Sequence, residues 1–218
     1  RLRRIDRAAL SENRQLDRDV VEYDLARRTS NETRFSFGSA GGNFQPYVLS
    51  QQNGPYQRLP DFLDTQHRIS DAADAEAYCA RLSAYARALD HNLAWANEDA
   101  GKGAIAPDFA LDLALDQLNA IRNQPAASTI LVASIARKAK AAGLSNDWAE
   151  RATTIVEKEV YPAYDRYIAG VKALRAKTSS DAGVWKLPGG AEYYDAAVKS
   201  STTTNLSPEE VHQLGLAQ

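Results

Sequence analysis

The sequence predicts a mainly α protein, an irregular multi-helix assembly with one long aromatic loop and a small strand or hairpin near residues 183–188. Three observations carry that expectation. Apolar residues recur at three- and four-residue spacings through most of the chain. Ser, Asp and Pro stand where those runs begin, and Gly and Pro crowd into residues 34–60. With 218 residues, 44% hydrophobic and 25% charged, the chain has the composition of a globular protein that buries most of its surface. A net charge of -2 gives neither nucleic acid nor an anionic membrane an electrostatic foothold. No run approaches the roughly 18 consecutive apolar residues of a membrane span.

Residues 2–28 read as an amphipathic helix. Ile5, Ala9, Leu16, Val20 and Tyr23 alternate with charges, Arg27 and Arg28 lie near the end, and Thr29 to Asn31 form the stop. Residues 34–60 then break the pattern, with Phe35, Phe37, Phe44, Tyr47 and Tyr56 set among glycines and prolines. Such a stretch is either a connection pinned down by its aromatics or a loop that lines a cleft. Ser70 or Asp71 caps a helix to about Asn97, with Tyr78, Leu82, Tyr85, Leu89 and Leu93 on one face. Pro107 suits the first turn of the next helix, which carries Leu111, Leu115 and Leu118 and ends at Gln124-Pro125. Ser128 starts another, through Leu131, Val132 and Ile135, and Gly143 stops it.

Ser145 opens the longest periodic run, which reaches Leu174. Pro162 lies inside it and removes a backbone donor, so a kink or two abutting helices is expected there. Gly183 to Leu187 alternate like a short strand entering a turn at Pro188-Gly189-Gly190, with Trp185 in the core. A short helix holds Tyr193, Tyr194, Ala197 and Val198. Ser207-Pro208-Glu209-Glu210 has the form of a capping box with Pro at the first position, and it opens a helix carrying Val211, His212, Leu214 and Leu216. That helix lasts about two turns. Residues 201–218 therefore read as the start of a truncated C-terminal part, in keeping with a chain that begins at Arg1 and contains no Met.

The residues alone indicate no catalytic site and no metal site. His67, His91 and His212 are far apart and none belongs to a His-Glu-x-x-His unit, while a zinc centre needs several such ligands together. No phosphate-binding loop, dinucleotide fingerprint or Gly-x-Ser-x-Gly elbow occurs. The lone Cys79 falls among apolar helix positions and reads as a small hydrophobe.

More specific is the order of several segments. Gln51-Gln52-Asn53-Gly54 precedes Leu59-Pro60-Asp61-Phe62-Leu63. Gly183-Val184-Trp185-Lys186-Leu187-Pro188 and Tyr193-Tyr194 follow, and then the run from Thr202-Thr203-Thr204 through Ser207-Pro208-Glu209-Glu210 to Leu216. Across essentially the whole chain this resembles the bacterial family called domain of unknown function 885. The resemblance implies a gluzincin-type metallopeptidase much longer than this chain. Its zinc motif would lie downstream, with two histidines one helical turn apart, a later third ligand and a glutamate as general base.

On that resemblance, residues 1–218 are the single helical N-terminal portion of a larger protein. They would form one wall of the substrate cleft of a zinc-dependent peptidase-like hydrolase, inactive alone. No cofactor is expected in this chain, and zinc is expected in the missing C-terminal part. The implied partners are that part itself and a peptide substrate, or a second copy covering the same apolar surface. The periplasm or cell envelope follows from the resemblance only. Candidate substrate contacts are Thr203 and Thr204, which would present hydroxyls to an extended peptide or else simply form a connector, and Tyr194, His212, Gln51 and Gln52. The alternative is a non-catalytic helical binding or scaffold module of the bacterial cell envelope.

Overall fold

The computed structural model describes residues 2–39, 44–145 and 147–218. The fold is mainly α. Its helices are α1 (Glu12–Arg34), α2 (Pro55–Asp61), α3 (Ala72–Gly101), α4 (Asp108–Arg122), α5 (Ile130–Ala141), α6 (Asp147–Ile155), α7 (Tyr161–Arg175), α8 (Gly190–Thr202) and α9 (Pro208–Ala217). The chain divides into two compact units. The larger comprises Tyr47–Gly101 and Ile105–Ala182, and the smaller comprises Arg1–Pro46, Lys102–Ala104 and Gly183–Gln218.

In the larger unit α7 packs on both α3 and α4, and α5 packs on α6. The expected stripe of α3 is its buried face: Tyr78, Leu82, Tyr85 and Leu89 are fully covered, at the four- and three-residue steps that keep side chains on one side of a helix. Tyr164, Tyr167, Val171 and Leu174 of α7 meet it. Gly170 sets how close the two helices come, since a Cβ there would stand 2.4 Å from Leu93 Cδ1.

Burying so many tyrosines requires partners for their hydroxyls. Tyr85 and Tyr164 pair with each other at 2.5 Å, Tyr167 donates to Asn92 Oδ1, Tyr78 donates to the Leu131 carbonyl, and Tyr56 reaches Ser50 O and Gln117 Oε1. Asn92 in turn donates to Val48 O, so the chain after Tyr47 is tied down onto α3. Burial pushes the Tyr56 hydroxyl up to about 12 and those of Tyr85, Tyr164 and Tyr167 higher still, so they remain proton donors. Outside this core, bidentate pairs Arg122–Asp165, Arg166–Asp90 and Arg175–Asp112 join α7 to its neighbours. Exposed as they are, they hold register more than they stabilise.

Several boundaries depart from expectation for visible reasons. Helix α1 starts at Glu12, because Asp6 caps a separate short turn at Arg7–Ala9 and Ser11 is extended. It runs past Thr29 to Asn31 and ends at Arg34, where Phe35 turns extended and its N–H closes on Asn31 O. The irregular stretch expected to reach residue 60 ends at Gly54. Pro55 begins α2, and Pro60 lies within it. Gly41 and Gly42 of that stretch lie outside the described residues. Pro162 stands in the first turn of a separate helix, α7. A π-helical turn, Val156–Val160, which the sequence did not announce, links α6 to α7. A second π turn, Phe62–Gln66, follows α2. Asp71 is the cap of α3, accepting from Asp74 N.

The expected strand or hairpin at 183–188 is not formed. Val184–Lys186 is a 3-10 turn, and Trp185 is 71% exposed rather than in the core. Tight packing explains the turn: Gly190 sits so close to it that a Cβ would lie 2.1 Å from Val184 O. No partner strand approaches among the described residues, whose bridges are Ser39 with Gln45 and Ser50 with Asn53.

In the smaller unit α1 buries no residue along its whole length. Leu16, Val20 and Tyr23 are 64%, 58% and 54% exposed, whereas the side chain of Arg18 is only 15% exposed, paired with Asp19 and Glu22. No helix among the described residues is long and apolar enough to cross a membrane.

Candidate functional site

The candidate residues of the smaller unit lie along α8, α9 and their connection. Tyr193 is fully buried against Phe35, Phe37 and Phe44, with ring centroids 5.0, 5.4 and 5.2 Å away. That anchor fixes the rotation of α8. Tyr194, one residue and about 100° further round, therefore points outward and is 53% exposed.

At the end of α8 the threonines divide their work. Thr202 Oγ1 donates to Val198 O and meets Thr204 Oγ1 at 2.9 Å, while Thr204 Oγ1 accepts from Leu206 N. Both hydroxyls thus build the connector. Thr203 is exposed and its hydroxyl has no partner among the described residues. It also adopts φ 57 and ψ 22, a left-handed conformation rare for a β-branched residue. The capping box at α9 forms as expected, with Ser207 N donating to Glu210 Oε2 at 2.7 Å and Glu210 N to Ser207 Oγ at 3.2 Å. The Ser207 amide holds the Glu210 carboxyl below its usual range. His212 follows on α9, exposed.

The left-handed Thr203 yields a direct prediction. A β-branched residue there costs about 1–2 kcal/mol, and glycine removes that cost at a smaller entropic one. Thr203→Gly is expected to stabilise the protein by about 0.5–1 kcal/mol, read as a rise in Tm of a few degrees. A fall in Tm would mean that the threonine side chain contributes more than its backbone costs.

Gln51 and Gln52 belong to the other unit. They form the tip of the turn closed by Ser50 and Asn53, whose amides and carbonyls exchange bonds of 3.1 and 3.2 Å. Neither glutamine side chain has a hydrogen-bond partner among the described residues. Structure therefore brings Thr203 and Thr204 together, sets Tyr194 and His212 on the helices they join, and assigns the glutamines to a separate unit.

No group of three or more His, Cys, Asp or Glu that could hold a metal ion occurs among the described residues. His67 is buried and committed: Nε2–H donates to Asp74 O at 3.0 Å and Nδ1 accepts from Arg81 Nη1 at 2.7 Å. His91 and His212 are exposed in different units, and burial pushes the Cys79 thiol up. This donor set does not fit a zinc centre, and no step through a metal follows from it. Sequence reasoning missed the His67–Arg81 pair and the lysine beside it. Lys138 Nζ donates to both Leu63 O and His67 O at 2.7 Å, which satisfies carbonyls at the second π turn. Lys138 lies 75 and 71 residues along the chain from Leu63 and His67, and Arg81 lies 14 from His67, so no local pattern announces them.

A solved structure of a candidate lipoprotein from Colwellia psychrerythraea superimposes on 88% of this chain with a TM-score of 0.81 and 24% sequence identity. The match takes up 34% of that protein, so this chain spans about a third of its length. Among curated proteins no relative matches. Residues 1–218 match, from end to end, the family described as bacterial protein of unknown function (DUF885), and the chain belongs to that family.

Proposed function

We propose that these residues are the helical, cleft-forming portion of a larger zinc-dependent, peptidase-like hydrolase of the cell envelope, inactive without the rest. The observation that carries this reading is α1. Helices in proteins are stabilised mainly by packing an apolar face, and this one covers a side chain of arginine while exposing leucine, valine and tyrosine. Leu16, Val20 and Tyr23 lie on one side, and Val21 and Leu25, 46% and 52% exposed, lie on roughly the opposite side. On an otherwise polar helix, these side chains give another surface something to cover. Leu214 and Leu216 of α9 are likewise uncovered, at 52% and 68%.

The length of the Colwellia protein supports a substantial partner for this surface, since about two-thirds of that protein lies outside the match. Its description as a candidate lipoprotein supports the envelope. In this reading the zinc ligands belong to the remaining part of the polypeptide. Tyr194, Thr203, Thr204 and His212 are then the substrate contacts that the α8–α9 region offers.

The test is to read the parent gene beyond the codon for Gln218 and assay the chain itself. A His-Glu-x-x-His-type helix followed by an acidic ligand is expected, together with neither stoichiometric zinc nor peptide hydrolysis in the purified 218-residue chain. A gene that stops there or continues without ligands would overturn the peptidase reading and leave a scaffold role. Zinc-dependent hydrolysis by residues 1–218 alone would overturn the division of labour.

A further inference from the structure

The larger unit carries an apolar groove that the proposed hydrolase does not use. It has a volume of about 340 Å³ and lies between the α2–π segment and α3. Leu59, Phe62 and Leu63 form one wall. Arg81, Ala84, Tyr85 and Ala88 form the other, at the spacings that share a helix face. Two alanines in that row leave the space. Tyr85, almost fully buried, closes the bottom of the groove, and its hydroxyl is taken by Tyr164.

Arg81 is the charged residue of this lining. Most arginines of the larger unit that face another helix pair with a carboxylate, as Arg122, Arg151, Arg166 and Arg175 do. Arg81 instead gives Nη1 to His67 Nδ1. The imidazole is an acceptor there because its Nε2–H is committed to Asp74 O. The guanidinium is thus steered by a ring nitrogen, and among the described residues it has no carboxylate partner and no other acceptor for its remaining donors. The wall opposite it is equally fixed, since Lys138 ties down Leu63 O and Arg137 binds Asp64 in the same π turn. Such π turns recur at functional sites, where they open a helix's surface.

From this geometry we infer that the groove binds a medium-chain alkyl carboxylate, its chain along Leu59, Phe62, Ala84 and Ala88 and its carboxylate on Arg81. Apolar walls with one placed polar group are the usual form of a small-ligand site, and a planar guanidinium suits a carboxylate. An extended peptide fits less well. Its backbone N–H and C=O groups need partners, and apart from Arg81 the walls carry no side chain with a free polar group.

The groove lies within one unit and owes nothing to zinc or hydrolysis, so its test stands apart from that of the proposed function. Titration calorimetry of the whole chain with octanoate, octan-1-ol and N-acetyl-leucyl-leucine compares the ligand classes. Octanoate is expected to bind one to one and more tightly than either of the others. Ala88→Leu fills the groove and should weaken octanoate by roughly tenfold or more without lowering Tm. Arg81→Gln keeps a donor for His67 and should weaken octanoate about tenfold while leaving octan-1-ol unchanged. If Ala88→Leu fails to fold, Ala84→Leu serves the same purpose. Absence of octanoate binding, tighter binding of the dipeptide, or octanoate binding indifferent to both substitutions would overturn the inference.

Discussion

Gly190→Ala is expected to disrupt the start of α8 and cost the smaller unit about 3 kcal/mol or more. The added Cβ would lie 2.1 Å from Val184 O, 2.9 Å from Val184 C and 3.0 Å from Trp185 Cα. All three are backbone atoms, so no rotamer change relieves the clash. The 3-10 turn at Val184–Lys186 or the first turn of α8 has to move, and either movement shifts Tyr193 against Phe35 and Phe37. Tyr194 and Thr203 depend on that anchor for their orientation. Amide hydrogen exchange across residues 190–202 reads the effect: exchange should accelerate there and stay near the parental rate in α3 and α7. Unchanged protection in α8 would show that Val184 and Gly190 do not approach so closely in solution.

Leu89→Ala is the second large effect, expected at about 3–4 kcal/mol. Leu89 is fully buried at the centre of the α3 stripe, among tyrosines held by hydrogen bonds that resist collapse into a cavity. The matching control is Leu16→Ala on α1. The same atoms are removed from a side chain that is 64% exposed, and the expected change is below about 0.5 kcal/mol. Urea unfolding followed by far-UV circular dichroism compares the two at constant chemistry. A large loss at Leu16 would mean that α1 is already covered in solution, by a second copy of the chain.

The contrast between these two leucines shows where the sequence was legible. Apolar spacing identified α3, α4, α5 and α7 because their stripes are buried within the larger unit, so pattern and burial coincide. On α1 an equally regular spacing marks residues that stand in solvent, since periodicity reports what a helix is made to bury and not which surface buries it. Capping chemistry read well at α9, where Ser207 and Glu210 bond each other locally. At 183–188 alternation suggested a strand, but strands need partners, and the nearby glycines instead admit a compact turn against α8. Of the candidate site, helix geometry separates Tyr193 from Tyr194, but which of them is buried is settled by the phenylalanines packed on Tyr193. What separates Thr203 from Thr202 and Thr204 is a backbone angle that composition does not encode. Arg81 and His67 meet only once α3 lies beside the π turn that precedes it.

The π turn before Pro162 gives the longest helical run a property of its own. Ala152, Val156, Val160 and Tyr164 are all fully buried, yet successive steps of four residues drift about 40° each around an ideal α-helix. Over three steps the core face would rotate roughly a third of a turn and carry Tyr164 off its partner Tyr85. Widening one turn absorbs that drift, so the apolar seam of α6 continues straight into α7. Segment 156–160 therefore works as a phase adjuster. Two stretches of sequence whose periodicities do not match are rejoined through it, and the residue count of that one turn sets which side of α7 faces the tyrosine core.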